Sequence, residues 1–215
     1  MPDSLDFTAK RETPKTFTNT GGFKRPYYLR FEDGKTYQVR LIGQGVEFYK
    51  IFGDNKKFAV VDKQYKDEAS RIVSDLCDKP VKAQSKFAIN CVDRSDSKIK
   101  VLEGGRKIFD EFFEWSRTQN INASDSSSGV DWRIEVTGQG LDRVYKVVHG
   151  SKPKPLTEEE ISLAKKIEYK LKNVYKAMPI DEIAPYFSDE TVAGDFDVPN
   201  TETDSETEDG DDIAF

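Results

Sequence analysis

Two segments of the chain alternate apolar and polar residues with a strict period of two, and that period restricts the fold more than any other feature. In "KFAINCVDRSDSKIKVLEGG", Phe87, Ile89 and Cys91 alternate with Ala88 and Asn90, and "DRSDSK" supplies a turn. In "DWRIEVTGQGLDRVYKVVHG", Trp132, Ile134 and Val136 alternate with Arg133, Glu135 and Thr137, while Tyr145 and Val147 flank Lys146 on the return. Successive side chains of a strand point to opposite faces, so each segment reads as a hairpin with one face turned inward. A third stretch, "KTYQVRLIGQGVEFYKIFG", holds two strand-like runs, Thr36 to Ile42 and Val46 to Phe52, and its Gly43-Gln44-Gly45 reads as the turn joining them. A short strand is expected over Phe58 to Val61.

Between these runs the period changes. "DEASRIVSDLC" carries Ala69, Ile72, Val73 and Leu76 at helical spacing and stops before Pro80. "RKIFDEFFEWSR" sets Ile108, Phe112 and Trp115 beside Phe109 and Phe113 on a broad apolar stripe. "NASDSSSG" reads as a flexible loop. "LTEEEISLAKKIEYKLKNVYKAMP" reads as one helix, opened by a Thr157/Glu160 capping box and seamed by Ala164, Ile167, Leu171, Val174 and Met178. That seam must lie on the β body or on a second copy of the chain; order is expected to fade after Pro185. With 215 residues, the chain suits one moderate domain with tails: an arm over 1–24, a domain over 25–187 and an acidic tail over 188–215. The expected fold is mainly β with helices: a five-stranded OB-type barrel with inserted helices and a C-terminal docked helix. Pleckstrin-like and SH3-like barrels fit the alternation nearly as well.

Enzyme signatures are missing. No GxxxxGK[ST] phosphate loop and no G-x-S-x-G elbow occurs, and the lone His149 follows a strand run with no apparent triad. Cys77, Cys91 and His149 give three zinc donors at most, without CxxC or HxxxH spacing. Neither a catalytic residue, nor a metal, nor a cofactor is expected. No run approaches the roughly 18 apolar residues of a membrane span, and the polar N-terminus points to the cytoplasm.

Charge separates along the chain. Residues 188–215 hold 11 acids and no base, so all 33 Lys and Arg fall in residues 1–187 against 28 acids. A basic body with an acidic tail suits nucleic acid or contact between the two halves. In the body, bases interleave with rings: Tyr49, Lys50 and Phe52 in "EFYKIF", Lys56 and Lys57 before Phe58, Trp132 with Arg133, and Arg143, Tyr145 and Lys146 in "DRVYK". Tyr37, Arg40, Lys86, Arg94 and Lys98 complete the candidate set. Rings stack on unpaired bases for about 1–3 kcal/mol each while cations track phosphates, without sequence preference. Small β domains also bury rings; Phe48, Phe87 and Phe112 are the expected core, Tyr49 and Tyr145 the expected stackers.

"KFAINCVDRSDSKIKVLEGGRKIFDEF" and "DWRIEVTGQGLDRVYKV" resemble consecutive segments of phage single-stranded DNA-binding proteins. The closing "DDIAF" is similar to the acidic tip of bacterial single-stranded DNA-binding proteins, with Ala214 where that family has proline. The resemblance implies an OB fold that coats single-stranded DNA in phage replication, recombination and repair inside the host bacterial cytoplasm. It also implies that Asp211, Asp212, Ile213, Ala214 and Phe215 recruit replication and recombination proteins. The zinc site of one branch of phage binders has no ligand set here. An RNA-binding OB protein, a metal-dependent nuclease accessory and an acidic adaptor remain the alternatives.

Overall fold

The computed structural model describes residues 26–54, 57–167 and 169–188. The arm, Lys56 and the acidic tail from residue 189 lie outside the described residues, and with them the five tip residues.

The first strand, β1 (Thr36–Phe52), is one strand of 17 residues. The Gly43-Gln44-Gly45 turn expected from sequence is instead a bulge within it. Gly43 takes φ of 67°, and the register against the neighbouring strand shifts between Ile42 and Val46. Glycine enters that left-handed region without steric cost, and the extra residues bend the strand while keeping it paired. The bend lets one strand serve two neighbourhoods. Its first half pairs with β5 (Asp131–Thr137) and its second half with β2 (Phe58–Val61). Its opposite edge carries β3 (Gln84–Asp93) along both halves.

β4 (Lys98–Gly104) pairs with β3, and β6 (Val144–His149) with β5, as the two alternating segments require. The result is an antiparallel sheet of six strands in the order β4-β3-β1-β5-β6, with β2 added on β1. The sheet does not close into a barrel. Residues 27–31 sit by its two ends: Leu29 N–H donates to the Val101 carbonyl (2.9 Å) and Val101 N–H to that of Tyr27 (2.7 Å), while the Phe31 ring meets Tyr145 edge-on at 5.3 Å.

Three apolar clusters hold the helices to this sheet. On the inner face, Val39, Leu41, Phe87, Ile89 and Trp132 meet Ile108, Phe109 and Phe112 of α2 (Arg106–Gln119). α1 (Lys66–Cys77) packs Ala69 and Val73 against Ile51, Ala59 and Val61. On the outer face of β3 and β4, Ala88, Val92, Ile99 and Val101 lie beneath Tyr169, Leu171 and Tyr175. Both faces of β3 are therefore buried, although its alternation resembles a one-faced strand.

The expected long C-terminal helix is broken. α3 (Glu158–Ile167) starts at the Thr157/Glu160 capping box, whose two reciprocal bonds are present at 2.9 and 3.2 Å. α4 (Leu171–Val174) follows after a gap filled by the sheet: Tyr169 N–H donates to Asn90 Oδ1 (3.2 Å), and Asn90 Nδ2 donates to the Tyr169 carbonyl (2.9 Å). Asn90 is buried, and an unpaired amide there would cost about 1–3 kcal/mol. Satisfying it takes the Tyr169 backbone out of the helix. Docking on the β body, rather than on a second chain, accounts for Ala164, Leu171 and Val174. Order also continues past Pro185, which lies inside α5 (Ile180–Ser188). Ile183 and Phe187 of α5 join the α1 and β2 cluster, and burying side chains of this size yields roughly 1.5–3 kcal/mol apiece.

Arg40 corrects another expectation. Proposed from sequence as a phosphate contact, it is fully buried. Its guanidinium donates to the carbonyls of Lys154 (2.9 Å), Leu41 (2.8 Å), Ala123 (3.2 Å) and Asp125. Gly129 lies so close that a Cβ there would collide with the guanidinium. Burial, partly offset by Asp131, pulls the Arg40 pKa down to about 10, so it stays charged at neutral pH. The serine-rich loop expected to be flexible is thus tied to β1 by a buried cation. Arg40→Leu should cost about 2–5 kcal/mol in urea unfolding, since several carbonyls lose their donor. Limited proteolysis should then cut first between residues 122 and 130; a variant as stable and as resistant as the parent would contradict this role.

Candidate nucleic-acid interface

The pleat sorts the candidate residues. Beyond the bulge, Phe48, Lys50 and Phe52 of β1 point to the outer face, and the register sets Phe48 opposite Lys86 and Phe52 opposite Phe58. Phe48 is buried, stacked on Tyr175 at 4.1 Å between ring centroids. Past Tyr175 the chain crosses to β2, where Met178 N–H donates to the Val60 carbonyl (2.8 Å). Phe52 is 40% exposed, with Phe58 tilted beside it at 6.1 Å. Lys50 Nζ sits 4.1 Å from the Phe58 ring centroid and donates to Glu103 at 2.8 Å. Glu103 also accepts from the Tyr175 hydroxyl (3.0 Å), which ties this face to the C-terminal cover.

Lys86 is the distinctive cation of this face. It is half-buried, and among the described residues no carboxylate comes within ion-pair distance of it. Burial, with repulsion from Lys50 and partial relief from Glu103, holds its pKa below the ordinary lysine value. A half-buried ammonium lacking its own acid gains by receiving an anion. Two rings and Lys86 thus share one patch, with Lys50 beside them held by Glu103, and a ring pair with a cation is the arrangement that stacks a base and holds a phosphate.

Other predicted residues fall elsewhere. Trp132, with 1% exposure, is core: its ring meets Phe112 at 4.6 Å and Trp115 at 5.8 Å. It cannot stack on a ligand base. Its inward position follows from the alternation of β5, where Trp132, Ile134 and Val136 all face α2. Arg94 is spent on structure, bridging Asp131 (2.8 Å) and Glu160 of the capping box. Tyr49 is half-buried on the opposite face with Lys66 at 5.8 Å from its ring, and Tyr145 packs on Phe31. Neither preferred stacker joins the patch. Lys57 donates to the Tyr186 carbonyl at 3.2 Å. Arg133 and Lys146 are exposed on the outer face of β5 and β6 but share Glu135, at 3.0 and 3.4 Å. Lys98 is exposed at the β3–β4 turn near Asp96. Tyr37 is half-buried against Phe31, and Arg143 is half-buried with its Nε unpartnered among the described residues.

Of the sequence candidates, the structure brings together Lys50, Phe52 and Lys86. Phe58, read from sequence only as the ring that follows Lys56 and Lys57, completes the patch. Sequence reading also passed over "YYLRF", which places Tyr27 with 66% exposure beside the exposed Arg30. Among the described residues no group of three or more His, Cys, Asp or Glu is placed to hold a metal ion, and no helix is long and apolar enough to cross a membrane. The ring nitrogen Nδ1 of His149 lies 2.9 Å from the carbonyl of the next residue, Gly150.

No protein-family model matches this chain, and neither does any curated protein sequence.

The two phenylalanines of β1 separate core from surface. Phe48→Ala should cost about 3–5 kcal/mol, as truncation of a buried ring does. Phe52→Ala should stay within about 0.5 kcal/mol of the parent. Urea titrations of both variants measure this, and equal losses would mean that Phe52 is a core ring.

Proposed function

We propose that this chain is a non-catalytic single-stranded DNA-binding protein that binds without sequence preference. The observation that carries the reading is the open patch of Phe52 and Phe58 with Lys50 and Lys86. Rings accept any base, and Lys86 offers a charge that forms no ion pair among the described residues. Strand order supports an OB-type plan. With β2 set aside, the five remaining strands taken in sequence run 3-2-1-4-5, the order of an OB barrel opened between its third and fifth strands. Helix α2 falls between the third and fourth, where that plan carries its helix.

The plan is modified in one respect. OB proteins commonly bind oligonucleotides on the face of strands two and three. Here that face, formed by β3 and β4, is covered by residues 156–175. The uncovered end, around Lys86 and Phe52, is then where a strand first meets rings and cations together. In this reading the chain coats and protects single strands in phage DNA replication, recombination and repair, and its acidic tail, closing on Asp211, Asp212, Ile213, Ala214 and Phe215, recruits other proteins. An acidic segment that carries Ile213 and Phe215 suits an apolar pocket rimmed by bases.

Titration with poly-dT, poly-rU and duplex DNA at two salt concentrations tests the reading. Binding is expected for the deoxy single strand only, weakening with salt in proportion to the phosphates contacted. Phe52→Ala should lower affinity roughly 5- to 150-fold, the cost of about 1–3 kcal/mol of lost stacking, with the salt slope unchanged. Lys86→Gln should lower both affinity and slope. Duplex bound as tightly as single strand, or no salt-sensitive binding, would overturn the proposal; preference for the ribo-polymer would transfer it to RNA.

A further inference from the structure

A second cleft lies at the other end of β3, and of the residues around it only Tyr37 belongs to the sequence candidates. Its volume is about 330 Å³, and Tyr28, Arg30, Glu32, Lys35, Tyr37 and Asp93 are among the residues around it. Small-molecule sites start at roughly 300 Å³, so it has room for a nucleotide-sized group.

The cleft is held rigidly from two sides. Residues 27–29 bond to Val101 of β4, as described above. Lys35 is fixed from the far side: its carbonyl accepts from Val136 N–H (3.0 Å), while Gly34 N–H donates to the Val136 carbonyl (3.0 Å) and Asp33 accepts from Gly138 N–H (2.7 Å). The charges around it are unequally committed. Asp93 is neutralised by Lys100 at 2.8 Å, and Lys100 is held again by Asp96 at 3.0 Å. Arg30 and Lys35 are exposed and form no ion pair within the described residues, which leaves Glu32 as the only unneutralised acid of the set. The Tyr37 hydroxyl accepts the Glu32 N–H at 2.8 Å, so its own proton is left to point at a ligand.

We infer that this cleft is a second nucleotide subsite for the same single strand, with Arg30 and Lys35 holding phosphate and the tyrosines meeting a base. The inference rests on the proposed function. Lys86 and Asp93 are seven residues apart on β3, so the two subsites lie roughly 23 Å from one another at about 3.3 Å per residue. They also lie on opposite faces of the strand, Lys86 in step with Ala88 and Val92 of the outer face and Asp93 in step with Phe87, Ile89 and Cys91 of the inner face. A short oligonucleotide can therefore fill one subsite only, and a longer one can reach both.

The test compares oligo-dT of about 4 and about 16 nucleotides, the limits for one OB unit, on the parent and on the double variant Arg30→Gln/Lys35→Gln. Thermal melting of both proteins checks that these surface changes leave the fold intact. The long oligomer should bind the variant at least tenfold more weakly, with a salt slope smaller by about 1.4, from about 0.7 per lost phosphate contact. Binding of the short oligomer, seated on the Phe52 patch, should be unchanged. Undiminished binding of the long oligomer would overturn the second subsite, as would equal losses for both lengths. If the parent binds neither oligomer, the proposed function fails first and the subsite with it.

Discussion

Gly43 sits at φ of 67°, and the chain on either side of it belongs to different halves of the sheet. Before it, β1 lines the inner core with Val39 and Leu41 and turns Ile42 outward; after it, Val46 and Phe48 face outward under the C-terminal cover. A side chain at this position would have to enter a backbone region that L residues reach only at a cost. Without the bulge, β1 could not exchange one partner for another while keeping β3 beside it, and Lys50 and Phe52 would have no place opposite β2. The open patch therefore depends on a conformational freedom nine residues away from Phe52.

The hairpins were legible because their two-residue period is a direct image of the strand. Both β3–β4 and β5–β6 form where that period runs, and Phe48, Phe87 and Phe112 are core as expected. The central errors share a cause: local chemistry that long-range contacts redirect. Gly-Gln-Gly signals a turn by composition alone, and it does close a hairpin near Gly138; at Gly43 the partner strand runs past it and turns it into a bulge. The 157–178 pattern is helical throughout, yet Asn90, more than 70 residues away, takes the Tyr169 backbone for itself. Arg40 reads as a surface cation on the polar face of a strand, and no local signal says that the 122–129 loop and Lys154 will fold over that face and offer it the carbonyls of Ala123, Asp125 and Lys154.

The site was less legible than the fold for an electrostatic reason. A count of lysines and arginines does not say which of them already have partners. Arg94, Lys50 and Lys100 are engaged by carboxylates of the body, and Arg133 and Lys146 share one. Such pairs leave little net field to draw a phosphate, whereas Lys86, Arg30 and Lys35 keep theirs. The cations that matter for an anionic strand are those without an acid at hand, and only packing reveals them. The C-terminal cover has a similar effect on the aromatic residues: it buries Phe48 and leaves Phe52 partly in solvent, although the two lie four positions apart on the same face of one strand.

The central claim is that single-stranded DNA lies on the Phe52–Lys86 face and not on the covered part of β3 and β4. Photocross-linking to oligo-dT that carries bromodeoxyuridine, followed by mass mapping of the cross-linked peptides, measures this most directly. The account predicts adducts on Phe52 or Phe58 and none on Tyr169, Tyr175 or Trp132. Adducts concentrated on Tyr169 and Tyr175, with Phe52 and Phe58 unmarked, would show that the cover itself is the binding surface and would contradict it.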